Sequence, residues 1–448
     1  MPQQQVDASR INELKQVVAG ALAEAEATGA SQAEADASLQ RGLSVTVRLG
    51  EVETIEYQRD RGLSLTLYFG KSKGSASTAD LSPTAVREMV LKAAAIARHT
   101  AADECAGLAD PQELAHTFPD LDLFHSWNIE PDQAVALARE CEAAGLECDA
   151  RLKNSEGGTL NTHNGVRVYG NSHGFLAGLA ATSHSISCTL LAQSGQEMER
   201  DYWYSVARNP ESLDSPRSIG RRAAERALAR LGARKLSTRS APVLFAPELA
   251  RGIFGHFVGA IRGTSQYRRA SFLLDALGQK ILPPFVDLLE RPHILQGLAS
   301  TPFDGEGVAT RDRDLVSGGV LQSYVLSSYS ARKLKLRTTG NAGGIHNLIV
   351  QSSESGTFEE MLARLDTGLY VTELMGPGVN GVTGDYSRGA SGFWVERGAI
   401  TFPVSEVTIA GNLRDMLRDI VAVGSDVDEQ GAIRTGSLLL RQMTIAGE

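Results

Sequence analysis

The stretch Ala241–Ser265, APVLFAPELARGIFGHFVGAIRGTS, constrains the fold of this chain more than any other. Val243–Ala246 is a short apolar run of the strand type, and Pro247 follows it where a helix accepts proline best, in the first turn. The sequence therefore predicts a strand that feeds directly into a helix. Leu249, Ile253, Phe257, Ala260 and Ile261 recur at helical spacing as one buried stripe. Gly252, Gly255, Gly259 and Gly263 line another face. A glycine inside a helix costs ~0.8–1 kcal/mol relative to alanine, so this face is expected to admit the close approach of a neighbouring backbone. His256 stands among these glycines, where a side chain is prominent.

The chain is long enough, at 448 residues, for two domains, and its 42% hydrophobic and 22% charged residues allow a sizeable core in a water-soluble protein. The N-terminus has no basic segment followed by an apolar core, and no run of ~18 apolar residues appears. No membrane association and a cytoplasmic location are therefore expected. Cys105, Cys141, Cys148 and Cys188 form no CxxC pair and read as free thiols. A net charge of -9 opposes direct nucleic-acid binding.

In the N-terminal half, Ala8–Ala27 has helical periodicity and ends at Gly29, and the Ala/Glu/Gln-rich continuation to Gln40 reads as linker or helix. Leu43–Leu49, Val52–Gln58 and Leu63–Phe69 read as three strands of an antiparallel meander. Ser82-Pro83 and Glu130-Pro131 each open a helix. From Leu146 to Trp203 the chain is strand-like, with Asn164-Gly165 as a hairpin turn. His163, His173 and His184 lie in this region and read as surface or turn histidines, with no metal assigned to them. Asp214–Lys235 is a predicted helix carrying Arg222, Arg226, Arg230 and Arg234 at i+4 spacing, either a solvated face or a site for a partner's acidic surface.

Leu236–Ser240 reads as the boundary between an N-terminal domain, 1–238, and a C-terminal domain, 239–448. The expected class is α+β: an N-terminal antiparallel sheet with flanking helices, then a β-rich domain containing the glycine-rich helix. Beyond that helix, Gly263–Asp287 reads as partly loop and partly strand, and two hairpins turn at Ser317-Gly318-Gly319 and Glu396-Arg397-Gly398. Asp304 and Glu306 have the chemistry of an acid–base pair, but glycines on both sides favour a turn. Thr383, Asp385, Ser387 and Ser391 lie among Gly384 and Gly389, yet no GxSxG elbow is present and no histidine follows His346. A serine hydrolase is excluded on that ground.

Several ordered blocks carry a resemblance: Phe257-Val258-Gly259 in the helix, Asn171-Ser172-His173-Gly174-Phe175, Phe303–Val308, Gly319-Val320-Leu321, Ala331-Arg332-Lys333-Leu334, Thr339-Gly340-Asn341-Ala342, and above all Met375–Leu413. Together they resemble the TldD/PmbA family, the U62-type peptidases also labelled modulators of DNA gyrase, over most of Tyr169–Asn412. The catalytic TldD branch carries His-Glu-x-x-x-His on the helix, and those histidines with a C-terminal cysteine are understood to hold zinc. Registered on Val258-Gly259, this chain places Gly255, His256 and Ala260 at those positions, and it has no cysteine after Cys188.

The resemblance thus implies the PmbA/TldE branch, with no catalytic residue and no metal or cofactor in this chain. Zinc is expected in a TldD-like paralogue, with which the chain forms a heterodimer or higher oligomer. The implied activity is cytosolic proteolysis of extended or unfolded peptides, in antitoxin degradation and the maturation of peptide precursors. Self-association of the isolated chain is a further expectation, and Thr383, Gly384, Asp385, Ser387, Gly389 and Ser391 are the expected peptide-groove positions. The competing reading is a non-enzymatic peptide-binding or regulatory protein acting without a catalytic partner.

Overall fold

The computed structural model describes residues 2–447, with side chains from residue 9 onward. Its N-terminal part is a six-stranded antiparallel sheet in the order β3-β2-β1-β4-β5-β6. The strands are β1 (Gln32–Arg48), β2 (Glu51–Phe69), β3 (Ser72–Thr78), β4 (Leu152–Asn171), β5 (Leu176–Ser194) and β6 (Glu197–Ala207). Four helices pack on it: α1 (Pro2–Ala27), α2 (Pro83–His99), α3 (Pro131–Leu146) and α4 (Pro216–Ala229). The Ser82 hydroxyl caps α2 by accepting from the Ala85 N–H, and the proline after it costs no helical hydrogen bond.

Three local expectations are corrected here. The Ala/Glu/Gln-rich stretch to Gln40 is neither linker nor helix but the first half of β1, where Ala33, Ala35 and Ala37 are buried beneath the helices. Alanine's weak strand propensity concealed a period-two pattern that burial enforces. The runs Val52–Gln58 and Leu63–Phe69 are one strand, because Asp60-Arg61-Gly62 stay paired with Gln40, Leu39 and Ser38 of β1. The third strand of the meander is the small-residue run Ser72–Thr78. Asn164-Gly165 makes no turn: it lies inside β4, paired with Arg41 and Gln40 on one side and with Thr182 and Ala181 on the other. Pairing on both edges overrides the local turn preference.

After residue 238 come β7 (Arg239–Phe245), α5 (Pro247–Ile261), α6 (Gly263–Tyr267), β8 (Val286–Glu290), β9 (Arg313–Ser317), β10 (Val320–Leu321) and α7 (Ser328–Leu334). They are followed by β11 (Leu348–Ser352), α8 (Phe358–Leu365), β12 (Gly368–Met375), β13 (Asp385–Glu396) and β14 (Ala399–Asn412). The chain ends with α9 (Leu413–Arg418), β15 (Ile420–Val423), β16 (Ile433–Arg434) and β17 (Leu438–Ala446). One sheet runs β14-β13-β12-β7-β17-β15, and a further β14–β17 pairing closes it into a barrel. The other runs β10-β9-β8-β11-β16. The strand-to-helix expectation for Ala241–Ser265 holds, as do both hairpin turns. Gly263–Asp287 departs from expectation, forming α6 and loop before β8 begins at Val286.

The arginine stripe is solvated only in part: Arg226 and Arg230 are drawn into ion pairs, while Arg222 and Arg234 remain exposed. Arg226 pairs with Asp201 at 3.1 Å and Glu248 at 2.8 Å, and Arg230, just past the end of α4, pairs with Glu199 at 3.2 Å and with Glu373. Arg222 and Arg234 stack on the rings of Trp203 and Phe402. Strand β6 contributes Glu199 and Asp201, while Glu248 and Glu373 belong to α5 and β12, so the stripe ties the N-terminal sheet to the C-terminal barrel.

The glycine face of α5 also departs from expectation. A Cβ added at Gly252 or Gly259 would meet nothing within 4 Å, and at Gly255 only Ile433 Cδ1, at 3.9 Å. Gly263 alone is crowded, against Ser330 and Leu326, and it lies beyond the end of α5. Close backbone approach occurs elsewhere: a Cβ at Gly220 would collide with the Cys141 carbonyl where α4 crosses α3. Two substitutions test this contrast by thermal denaturation. Gly259→Ala should raise stability by up to ~1 kcal/mol, whereas Gly220→Ala should lower it by ~1–3 kcal/mol. Equal losses at both positions would show that the α5 face is packed.

Candidate functional site

Helix α5 buries Ala250, Ile253, Phe254, Phe257, Val258, Ala260 and Ile261 and turns its glycines outward. Ala260 is 3% exposed, and its carbonyl accepts hydrogen bonds from Gln266 Nε2 at 2.7 Å and Ser271 Oγ at 2.8 Å. His256 is half-buried on the outer side, with its ring 6.3 Å from that of Tyr386 in an edge-to-face arrangement. Partial burial and, secondarily, the Arg388 guanidinium lower the His256 pKa, so the imidazole is neutral at pH 7. The Tyr386 hydroxyl is buried without a hydrogen-bond partner, and desolvation pushes its pKa up to about 12 despite the opposing charge of Arg388. Arg388 itself donates from Nε to the Gly376 carbonyl at 2.9 Å. Near the start of the helix Arg251 pairs with Asp428 at 3.1 Å and donates to Tyr204 Oη at 2.7 Å.

This arrangement offers a glycine-lined strip of helix, a neutral imidazole, an aromatic wall and a guanidinium. It suits contact with a polar backbone. It does not fit the zinc that the resemblance associates with this helix. Catalytic zinc takes three protein ligands and an open position; Gly255 and Ala260 have no donor side chain, Ile433 flanks Gly255, and Ala260 points into the core. Among the described residues no group of three or more His, Cys, Asp or Glu side chains is close enough to hold a metal ion.

The positions Thr383–Ser391 split between two roles. Thr383 Oγ1 donates to Asp385 Oδ2 at 2.6 Å, and Asn412 Nδ2 donates to the Thr383 carbonyl at 3.1 Å. Asn380 Oδ1 accepts from the Val382 and Thr383 N–H groups, and Gly384 takes the positive φ of +85° that the turn needs. Ser387 and Asp385 are exposed, Gly389 pairs with Met375, and Ser391 is buried opposite Glu373. Strand alternation sends Tyr386 and Ala390 to the buried side of β13, and Tyr386 is the residue that meets His256. Tyr386 and Arg388 are not marked by any motif in the sequence; the period of two along β13 is the signal that sets them on one side of the strand.

The three histidines do not converge. His184 is fully buried rather than at the surface, with Nδ1 2.8 Å from Thr162 Oγ1 and Nε2 2.8 Å from the His125 carbonyl. His173 sits in a turn, bonded to Gln32 and the Ala109 carbonyl, and His163 lies on β4 opposite Ser183. Asp304 shapes a turn, as expected: Oδ1 accepts from the Glu306 and Val308 N–H groups, and Oδ2 from that of Ala342. That turn docks on the N-terminal part through Ala115 N–H to Gly307 O and Ala309 N–H to Glu113 O.

Burial, and then Glu306, raise the Asp304 pKa to about 7 against the pull of those three backbone donors. An acid with a raised folded-state pKa contributes stability when protonated and loses it as pH rises toward that value, here from about 4 to about 7. The melting temperature of the native chain minus that of Asp304→Asn should therefore be larger at pH 5 than at pH 8. A difference independent of pH would contradict this assignment.

Comparison with known proteins agrees with this architecture. Family models for PmbA/TldA metallopeptidase match at domain 1 over residues 33–97, the central domain over 124–231 and the C-terminal domain over 238–447. The chain is 52% identical to Metalloprotease PmbA of Escherichia coli O157:H7, covering 99% of this chain and 98% of that one. It is 48% identical to the Metalloprotease PmbA homolog of Haemophilus influenzae, covering 97% and 96%. A crystal structure from Bacteroides thetaiotaomicron, named for modulation of DNA gyrase, superposes with a TM-score of 0.92 at 27% identity, covering 97% of this chain and 99% of that one. TldE from Thermococcus kodakarensis shares the fold, with a TM-score of 0.84 at 20% identity and coverage of 95% and 99%. Sequence blocks, three matched domains and fold converge on one conclusion: the chain belongs to the PmbA/TldD metallopeptidase family, on its PmbA/TldE side.

Proposed function

We propose that this chain is the subunit without a zinc site in a heteromeric cytosolic metallopeptidase, whose TldD-like paralogue holds zinc and cuts extended or unfolded peptides. The observation that carries this reading is the helix itself. Gly255, His256 and Ala260 supply one imidazole where the catalytic branch has two and a base, and Ala260 is buried in the core at 3% exposure. No cysteine after Cys188 supplies the remaining ligand. A hydrolytic zinc site also needs a base for the metal-bound water, and the only ionisable group at the three helix positions is His256.

In this reading the chain contributes surface rather than chemistry. The open strip at Gly252 and Gly259 leaves room for a peptide backbone beside His256, and Arg388 provides positive charge next to it. The substrates are those that the family resemblance implies, antitoxins and peptide precursors, and a link to DNA gyrase then runs through antitoxin turnover. The net charge of -9 favours that indirect route over DNA contact.

Reconstitution tests the reading. Peptidase activity on an unfolded substrate should appear when this chain is combined with the TldD-like paralogue of the same cell, and should be absent from this chain alone. Robust cleavage by the chain alone at enzyme-like stoichiometry would overturn it. Failure of any paralogue to co-purify, with no effect of this chain on a paralogue's activity, would favour a regulatory peptide-binding protein instead.

A further inference from the structure

Helices α1 to α4 share one face of the N-terminal sheet but do not cover it evenly. On β1, Ala33, Ala35 and Ala37 lie in the core formed with α1 and α2, and Leu43, Val45 and Val47 lie in the core formed with α3 and α4. Alternate residues of a strand point to the same side, so Leu39 and Arg41 stand on this face in the interval between the two helix pairs. Strand register completes the floor of that interval. Leu39 pairs with Arg61 of β2 and Val166 of β4, and Arg41 pairs with Arg59 and Asn164. Arg10 on α1 and Phe124, from the connection between α2 and α3, wall the resulting cavity of ~340 Å3.

Four guanidinium groups therefore line one cavity in a chain of net charge -9, and among the described residues Asp60 is the only carboxylate lining it. Arg41 and Arg59 stand directly opposite each other, and like charges so placed are destabilising. Arg61 follows two residues along the same face, about 7 Å further on. Arg59 and Arg61 are exposed and form no hydrogen bond or ion pair with any described residue. Their donors are open to a ligand, and a multivalent anion would offset the repulsion.

A single carboxylate would leave most of this charge unmatched. An oligophosphate chain brings about three or four negative charges within a few ångströms, and each phosphate can accept two N–H groups from one guanidinium. The remaining surface of the cavity suits a ring rather than more charge. Leu39 and Val166 are aliphatic, and the half-buried Phe124 also borders a second cavity of ~380 Å3 walled by Ile11, Phe118 and Ala180.

We propose that the trough between the two helix pairs is a nucleotide-binding site. The oligophosphate chain lies across Arg41, Arg59 and Arg61, and the base lies against Phe124 above Leu39 and Val166. The cavity is lined only by the N-terminal part, away from α5, so this site stands or falls separately from the function proposed above.

Isothermal titration of the full chain tests it, with ATP, tripolyphosphate, adenosine and tetraglutamate as probes. ATP should bind saturably at one site per chain and more tightly than each of the other three. R59Q/R61Q should weaken ATP by about tenfold or more, whereas R311Q/R397Q, which removes the same charge elsewhere on the surface, should change it by less than about twofold at physiological salt. Phe124→Ala should weaken ATP by about fivefold or more and leave tripolyphosphate unchanged. An unchanged melting temperature for R59Q/R61Q separates lost contacts from misfolding. Absence of saturable ATP binding, equal losses in the two double variants, tighter binding of tetraglutamate than of ATP, or equal affinities for ATP and tripolyphosphate would each overturn the proposal.

Discussion

Pairing of Thr408, Ile409 and Ala410 on β14 with Ala446, Ile445 and Thr444 on β17 closes the C-terminal barrel, and the rest of the site depends on that closure. It places β7 between β12 and β17. Strand alternation then divides β7, with Val243 and Phe245 in the core shared with α5 and Leu244 in the separate cluster with α8. Since Pro247 starts the helix immediately after the strand, α5 has little freedom in where to lie. Its seven buried residues face the core and its glycines face out. His256 comes to rest beside Tyr386 because β13 is the strand that passes there.

The seam between the two parts of the molecule is held by groups that are expensive to bury alone. Arg226 and Arg230 are 18% and 9% exposed, and Asp201, which pairs with both, is 6% exposed. Removing one member of such a cluster leaves an uncompensated buried charge, at a cost of about 3–5 kcal/mol. Phe303 and Phe175 meet edge to face at 5.2 Å on another part of the same seam, next to the Asp304 turn. The α5 face and the N-terminal sheet are therefore fixed relative to each other by charge pairing in one place and aromatic packing in another.

Much of this was legible in the sequence where a single residue type settles a local conformation. Ser82-Pro83 marked a helix start, Gly398 after Arg397 marked a hairpin, and Pro247 after Val243–Ala246 marked the strand-to-helix junction. Legibility failed where neighbours in space outvoted neighbours in sequence. Asn164-Gly165 stayed extended because strands bond both of its edges, and Ala33, Ala35 and Ala37 became strand because α1 and α2 pack on them as a small-residue floor. The ion pairing of Arg226 and Arg230 left no local signature because Asp201, Glu248 and Glu373, their partners, come from three distant elements. At the site, the glycines signalled unusual space but not its kind: the sequence cannot tell a face that is crowded from one that is open. The pairing of His256 with Tyr386 spans 130 residues and has no local signature at all.

The proposed function turns on whether α5 binds zinc in this chain. The direct measurement is elemental analysis of the chain purified without chelators or immobilised metal, alongside His256→Ala. The account predicts zinc well below one per chain, with the same residual level in the variant. One tightly held zinc per chain that is lost in His256→Ala would contradict it.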